Sequence, residues 1–337
     1  MRDYLNFNLK AYNTFGIDAM CRRFVEFETA EEAASFFSRF SSDGEPLLII
    51  GGGSNLLLTA DFPGTVLRSA IKGINPREDV DSVVLRCGSG ERWDDVVAYC
   101  VDKGWHGAEN LSLIPGDVGA SAVQNIGAYG AEIKEILLEV EAIEIATGNF
   151  VRFSNADCAY AYRDSRFKHD WRDRFFITAV TYRFEKTFHP LLEYGNIRQK
   201  LQAMGIDHPT ASQLRQTIID IRNEKLPDVT IEGNAGSFFV NPVVNRAKYL
   251  ELEAAYPGMP HYTIDEQHEK IPAGWLIEQC GWKGRTMGRA GVHSRQALVL
   301  VNKGGASGQE VLRLCRAVQA DVLQRFGIEI HSEVNIV

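Results

Sequence analysis

The chain lacks a CxxC pair, and its six cysteines, Cys21, Cys87, Cys100, Cys158, Cys280 and Cys315, stand at no metal-ligand spacing with the eight histidines. A zinc ribbon and a disulfide-stapled fold are therefore excluded; reduced thiols, a cytoplasmic location and no metal are expected. No apolar run approaches eighteen residues, and the opening MRDYLNFNLKAYNTFG lacks the apolar core of a signal peptide, so no membrane insertion is expected. Positive charge is scarce: 36 Lys and Arg stand against 44 Asp and Glu, a net −8. This argues against a nucleic-acid partner and against attraction to anionic membranes. The phosphate loop GxxxxGK[ST] is absent, and so are internal repeats and low-complexity segments.

What the chain does have is glycine in two concentrated stretches. From Ser112 to Ile133 it reads SLIPGDVGASAVQNIGAYGAEI, nearly uncharged, with Gly116, Gly119, Gly127 and Gly130 among small residues. Such a backbone turns tightly and approaches a bound group without side-chain obstruction, which points to a bulky cofactor; the alternative is a buried, turn-rich connection that binds nothing. The second stretch is Gly51-Gly52-Gly53-Ser54-Asn55. It follows a strand, a helix and the strand Leu47–Ile50, so a small α/β unit delivers bunched backbone amides suited to phosphate oxygens. GGGSNL is not a Rossmann fingerprint, because no third glycine stands at the required place and Leu56-Leu57-Leu58 follows instead of a helix.

At 337 residues, 45% hydrophobic and 24% charged, the chain suits two or three soluble domains. After an irregular start, the patterns predict a strand at Phe24–Phe27 and a Thr29-capped helix, then a strand at Val83–Cys87. A helix from Glu91 stops near Gly104, a hairpin turns about Thr147-Gly148-Asn149, and a strand runs Phe175–Glu185. Beyond these lie helices at Ala211–Lys225, Ala273–Gln279 and Gln309–Phe326, a strand at Leu298–Asn302, and a strand-like stretch from Ile328 to Val337.

Three polar constellations invite a chemical reading. Tyr160 to Lys168 gathers positive charge between strands, as an anionic substrate requires, or as a solvated basic loop displays. Ser237 sits between Gly236 and Phe238-Phe239, either as a reactive hydroxyl or as an ordinary backbone hydrogen-bonder. Glu333 lies among apolar residues, where a carboxylate is either functional or simply exposed on a strand.

Taken in order, NTFGIDA at Asn13, LIIGGGSNLLL at Leu48, IPGDVGASAVQNIGAYG at Ile114, YRDSRFK at Tyr162, KLPD at Lys225, GNAGSFFVNPVV at Gly233, PAGWLIEQCGWKG at Pro272 and SEV at Ser332 resemble the UDP-N-acetylenolpyruvoylglucosamine reductase family, MurB, nearly end to end. The resemblance implies an α+β protein: an FAD-binding domain of the vanillyl-alcohol-oxidase (PCMH) type in two α/β lobes, 1–70 and 71–220, plus a C-terminal α+β substrate domain, 221–337, whose end carries Glu333 into the active site. It implies non-covalent FAD, NADPH as reductant, and reduction of the UDP-sugar enolpyruvyl ether to UDP-N-acetylmuramate in peptidoglycan synthesis. A monomer acting on small molecules is expected.

By the same likeness, Arg163, Ser237 and Glu333 match the catalytic arginine, serine and glutamate. Gly51, Gly52, Gly53, Ser54 and Asn55 would hold the FAD pyrophosphate, with Pro115, Gly116, Gly119, Ala120, Ser121, Asn125, Gly127, Tyr129 and Gly130 along the cofactor. Tyr162, Tyr194, Lys225 and Asn241 match substrate contacts, and the segment around Tyr194 fits the longer, type I branch. Val240 departs from the pattern where a lysine is expected, and Arg246 or Lys248 is the nearest substitute. The rivals are an FAD oxidase or dehydrogenase of another small substrate on the same fold, and a flavin-binding relic without activity.

Overall fold

Capping and periodicity account for most elements of the computed structural model, which describes residues 1–41 and 44–337. By internal contact the chain divides into two units, residues 1–7, 21–52 and 63–224 in one, and residues 8–20, 53–62 and 225–337 in the other.

The first unit is built on two sheets. A five-stranded antiparallel sheet has the order 150–154, 137–144, 175–185, 82–88, 74–78. Its central strand, Phe175–Glu185, alternates buried residues between neighbours, with Val180 opposite Val140 on one side and Cys87 on the other. Against it lies the helix Trp93–Lys103, which opens on Asp94 and Asp95, as the helix dipole favours, and stops at Gly104 in the left-handed conformation, φ 74°. Trp93, Val96, Val97 and Cys100 face inward and join Leu85, Val140, Tyr182 and Phe184 in one core. A four-stranded sheet, order 2–8, 20–27, 62–69, 47–50, packs the helix Ala30–Phe37 through Phe27, Phe37 and Phe176. Thr29 caps that helix by accepting from the Glu32 amide. The helices Ile197–Ala203 and Ala211–Lys225 close on each other through Ile197, Leu201, Leu214, Ile218 and Ile221.

The second unit centres on the helix Gly308–Phe326, begun by a reciprocal Ser307–Glu310 capping box and ended by Gly327. It packs on strands 290–292 and 300–302 of a four-stranded sheet, order 233–234, 300–302, 290–292, 286–287. A three-stranded sheet, 243–245, 268–270 and 262–263, is separate. Residues 335–336 run parallel to 56–57.

Three departures from the sequence reading have local causes. Arg2–Asn8 is a strand, not an irregular start, because it pairs beside 20–27, where Arg23 Nε donates to Asp3 Oδ1 at 2.9 Å. The stretch Ile328–Val337 is not one strand: it meets 238–240 at Ser332, then leaves that partner for 56–57. The glycine-rich stretch contains a short helix, Val118–Gln124, hidden in the sequence by residues of modest helix propensity.

Trp93 is fully buried, donates Nε1–H to the Leu111 carbonyl at 3.0 Å and meets the Tyr182 ring edge-on at 5.5 Å. Replacing it with alanine opens a cavity and orphans that carbonyl, so Trp93→Ala should destabilise the first unit by about 3–5 kcal/mol. Denaturant unfolding followed by far-UV circular dichroism measures this.

Candidate functional site

The turn after strand 47–50 brings the two glycine stretches together within the first unit. A Cβ on Gly52 would lie 3.3 Å from Gly116 Cα, and one on Gly51 would lie 3.3 Å from Ala120 Cβ and 3.5 Å from Asp117 Oδ2. The Gly52 and Gly116 backbones thus face each other closely, with the Asp117 carboxyl beside them, and Gly52 stays exposed. Among the described residues, no turn or loop carbonyl accepts from the Gly51 or Gly52 amide. Exposed glycine with free amides against a second glycine backbone fits a pyrophosphate group. Pro115 is exposed at the entrance, and Gly116 has φ 114°, a conformation only glycine takes readily.

The remaining positions in these stretches divide by task. Gly53, in the second unit, has φ 65°, and a Cβ there would collide with the Tyr12 carbonyl oxygen at 2.0 Å; its glycine is demanded by the fold. Asn55 donates from Nδ2 to the Glu333 carbonyl at 3.3 Å, and Ser54 is half-buried beside it. Gly119 packs its Cα on Ser89, whose carbonyl accepts its amide at 2.9 Å. Ser121 is buried and hydrogen-bonds Tyr182 at 2.9 Å, and Asn125 is buried and holds Ala161, Glu132 and Lys134. Both side chains expected along the cofactor are taken up by the scaffold. Their fully buried positions explain why.

Residues 127–130 face Arg163. Its guanidinium donates to the Gly127 carbonyl, and a Cβ on Gly127 would stand 2.6 Å from Nη1. Arg163 has φ 55°, Tyr129 φ 49° and Asn125 φ 43°. Such strain in non-glycine residues persists only where surrounding contacts impose it, and it collects at functional sites. Asn125 supplies one contact, donating to the Ala161 carbonyl at 2.7 Å, while Asn110 ties the Tyr129 carbonyl to that of Leu191. Tyr194 follows, exposed, and would lie 3.4 Å from a Cβ on Gly130. Tyr162 is exposed, with the Arg163 guanidinium 5.3 Å from its ring centre.

The basic run does not act as a block. Arg166 pairs with Asp170, Lys168 donates to the Arg163 carbonyl at 2.8 Å, and His169 meets Asp164. Arg163 alone turns toward the glycine stretch. A second cation comes from the helix Ala211–Lys225. Arg222 is largely buried beside Tyr129; burial lowers its pKa and the Arg163 charge acts in the same direction. Its Nε has no hydrogen-bond partner. The first unit thus sets the Arg163 charge within electrostatic reach of Arg222, whose Nε is an unused donor. The sequence signal for Arg222 was weak, since one arginine on an amphipathic helix is ordinarily a surface residue.

The second unit joins Ser237 to Glu333. Gly236, φ 68°, turns the chain, and Phe238 and Phe239 are buried while Ser237 is exposed. Among the described residues the Ser237 hydroxyl takes no protein partner, unlike an ordinary turn serine. Phe238 N donates to Leu298 at 2.7 Å, Glu333 N donates to the Phe238 carbonyl at 2.8 Å, and Val240 N donates to His331 at 3.0 Å. Asn241 accepts the Ala273 amide at 2.9 Å at the start of a helix. Lys225 is exposed at the end of its helix. Of the two substitutes for the lysine missing at Val240, Arg246 pairs with Glu269 and Lys248 with Glu251.

Residues 228–337 match the C-terminal domain of UDP-N-acetylenolpyruvoylglucosamine reductase, and residues 21–154 match the FAD binding domain. A curated UDP-N-acetylenolpyruvoylglucosamine reductase of Bacteroides fragilis is 50% identical over 335 residues, 98% of this chain and 99% of its own. One of Paraburkholderia phytofirmans is 46% identical, covering 97% and 95%. The chain belongs to the UDP-N-acetylenolpyruvoylglucosamine reductase family. The crystal structure of the Thermus caldophilus MurB superposes with a TM-score of 0.67 at 22% identity, over 99% of this chain and 98% of that one. The 4-ethylphenol oxidase of Gulosibacter chungangensis, TM-score 0.51 at 13% identity over 94% and 82%, shares the fold of the PCMH type alone. The family member described here is an FAD-dependent oxidoreductase that uses NADPH to reduce UDP-N-acetylenolpyruvoylglucosamine to UDP-N-acetylmuramate in peptidoglycan synthesis. Among the described residues no helix is long and apolar enough to cross a membrane.

Gly52→Val places branched carbon between the two glycine backbones. The variant should bind FAD at least about a hundredfold more weakly, about 2.7 kcal/mol lost to the clash and the blocked amides, and should purify with less bound flavin than the unsubstituted protein. The ratio of flavin to protein absorbance measures this, and full yellow colour would overturn the pyrophosphate assignment.

Proposed function

We propose that Arg163, Ser237 and Glu333 divide the chemistry of substrate reduction, and that Gly51, Gly52 and Gly116 hold the FAD pyrophosphate through their backbones. FAD supplies hydride transfer between NADPH and the enolpyruvyl ether. Hydride arriving at the terminal methylene leaves negative charge on the adjacent carbon and its carboxylate. Arg163 presents a fixed guanidinium to that charge, and Glu333 in its protonated form polarises the same carboxylate. Ser237 delivers the proton to carbon. A serine hydroxyl is a weak acid, so it must lie in contact with a strong base or have a relay behind it.

The observation that carries this reading is the backbone pairing of Phe238 with Glu333, which supports a joint role for Ser237 and Glu333. Free exposure of the Ser237 hydroxyl supports proton delivery, because a turn serine with only a structural task ties itself to the backbone. We assign Tyr162, Tyr194, Lys225 and the free NH2 of Asn241 to the UDP-sugar, and Arg222 to its anionic part. With Val240 in place of a lysine, the diphosphate relies on Lys225 and Asn241. The division into lobes 1–70 and 71–220 with a substrate domain 221–337, a monomer, and a cytoplasmic location complete the proposal. A rival oxidase on the same fold has no need of the Ser237 and Glu333 pair.

Ser237→Ala should keep its flavin and bleach with NADPH at the unmodified rate. Recovery of flavin absorbance on mixing with the enolpyruvyl sugar should slow by roughly a hundred- to ten-thousand-fold, the worth of a positioned general acid. Rapid-mixing absorbance resolves the two phases. Equal, modest losses in both would mark Ser237 as a turn residue.

A further inference from the structure

Asp117 stands out in the glycine stretch because its side chain has no structural task. It occupies the N-cap position of the helix Val118–Gln124 without capping it. The residue is 6% exposed, and Oδ2 is buried with no hydrogen-bond partner. That oxygen lies 3.5 Å from where a Gly51 Cβ would be, and Oδ1 lies 3.5 Å from where a Gly52 Cβ would be. A buried carboxylate left without a partner is costly unless it is neutralised or meets a ligand.

The surrounding charges do not complete it. Arg68, on strand 62–69, comes no closer than 3.9 Å and is bound to Glu26 of strand 20–27. Lys72, just beyond that strand, donates to the Gly90 carbonyl and to Glu91. Arg92 is exposed and lies 4.0 Å from Asp95, while Glu91 repels a charge on Asp117. Burial outweighs the three cations and raises the Asp117 pKa to about 6.

A pyrophosphate dianion on the Gly51–Gly52 turn adds two negative charges beside this carboxyl. Ionised, Asp117 would repel it. Protonated, the carboxyl becomes a hydrogen-bond donor beside the turn. We propose that Asp117 is a proton-carrying contact of the FAD site: it takes up one proton from solvent as the pyrophosphate docks, and donates a hydrogen bond to it from Oδ1, the oxygen beside exposed Gly52. This rests on the assignment of the Gly51–Gly52 turn to the pyrophosphate.

The linkage has a definite sign. Below about pH 6 the free protein already carries the proton, and FAD affinity is at its fullest. Above it, binding requires proton uptake, and Kd rises by up to about tenfold per pH unit until the carboxyl of the complex itself ionises. The pyrophosphate stays fully ionised throughout, so cofactor titration does not contribute.

The test is FAD binding to the flavin-stripped full chain, followed by flavin fluorescence between about pH 5.5 and about pH 8, with calorimetry in two buffers of different ionisation enthalpy. The native protein should lose at least about tenfold in affinity across that range and take up close to one proton per FAD above pH 7. Asp117→Asn, which donates from its amide at every pH, should bind with the native low-pH affinity and a flat profile. A flat native profile, an unchanged slope in Asp117→Asn, or weakened binding of Asp117→Asn at low pH overturns the proposal. Gly52→Val separates it from its foundation, because loss of affinity at every pH sustains the turn assignment whatever the slope, and unimpaired binding removes it.

Discussion

The second unit depends on the segment 331–337 being held by two successive backbone partners. Val240 N donates to His331 and Glu333 N to the Phe238 carbonyl, and the chain then leaves for the strand 56–57. There Val337 N donates to Leu57, Thr59 N donates to Val337, and Asn335 N donates to Asn55. Asn55 closes the hinge between the two ladders by donating to the Glu333 carbonyl itself. The Glu333 backbone is thus fixed where a strand changes partners. Ser237, to which we assign proton delivery, sits one residue from the paired Phe238. Backbone hydrogen bonds of this kind position a side chain to within a fraction of an ångström, which loop flexibility would not.

In the first unit the equivalent constraint is the absence of side chains. Gly52 and Gly116 meet backbone to backbone, and amides that would otherwise be covered stay available. The same stretch, ten residues on, is arranged for a different purpose, because Gly127 receives the Arg163 guanidinium and Tyr129 meets Arg222. One glycine-rich segment therefore meets the Gly51–Gly52 turn at its start and Arg163 and Arg222 at its end. The short helix Val118–Gln124 separates the two tasks and commits Ser121 and Asn125 to holding the segment in place.

Most of the regular structure was legible because its signals are local. Thr29, Gly104, Thr210 and Gly327 mark helix ends by capping chemistry, and the hairpin about Thr147-Gly148-Asn149 follows from alternation on both sides of a turn. What sequence could not give was partner exchange: Ile328–Val337 alternates like one strand, and only the fold shows it divided between two partners. Arg222 was hidden for a similar reason, since burial beside Tyr129 is a tertiary fact. The catalytic positions came from ordered motifs, and their bare residue types, a turn serine and a strand glutamate, favoured ordinary roles. At Val240 the sequence suggested replacement by Arg246 or Lys248, and the ion pairs of these residues to Glu269 and Glu251 are tertiary facts that the sequence did not show.

Removal of residues 335–337 tests the account most directly, because it takes away the second ladder while leaving Ser237, Glu333 and the Gly51–Gly52 turn in the chain. Single-turnover absorbance should show bleaching by NADPH preserved, and transfer to the enolpyruvyl sugar slowed by at least about a hundredfold, as misplacement of a catalytic group by about an ångström brings. Transfer at the full-length rate would contradict the claim that this strand exchange places Glu333.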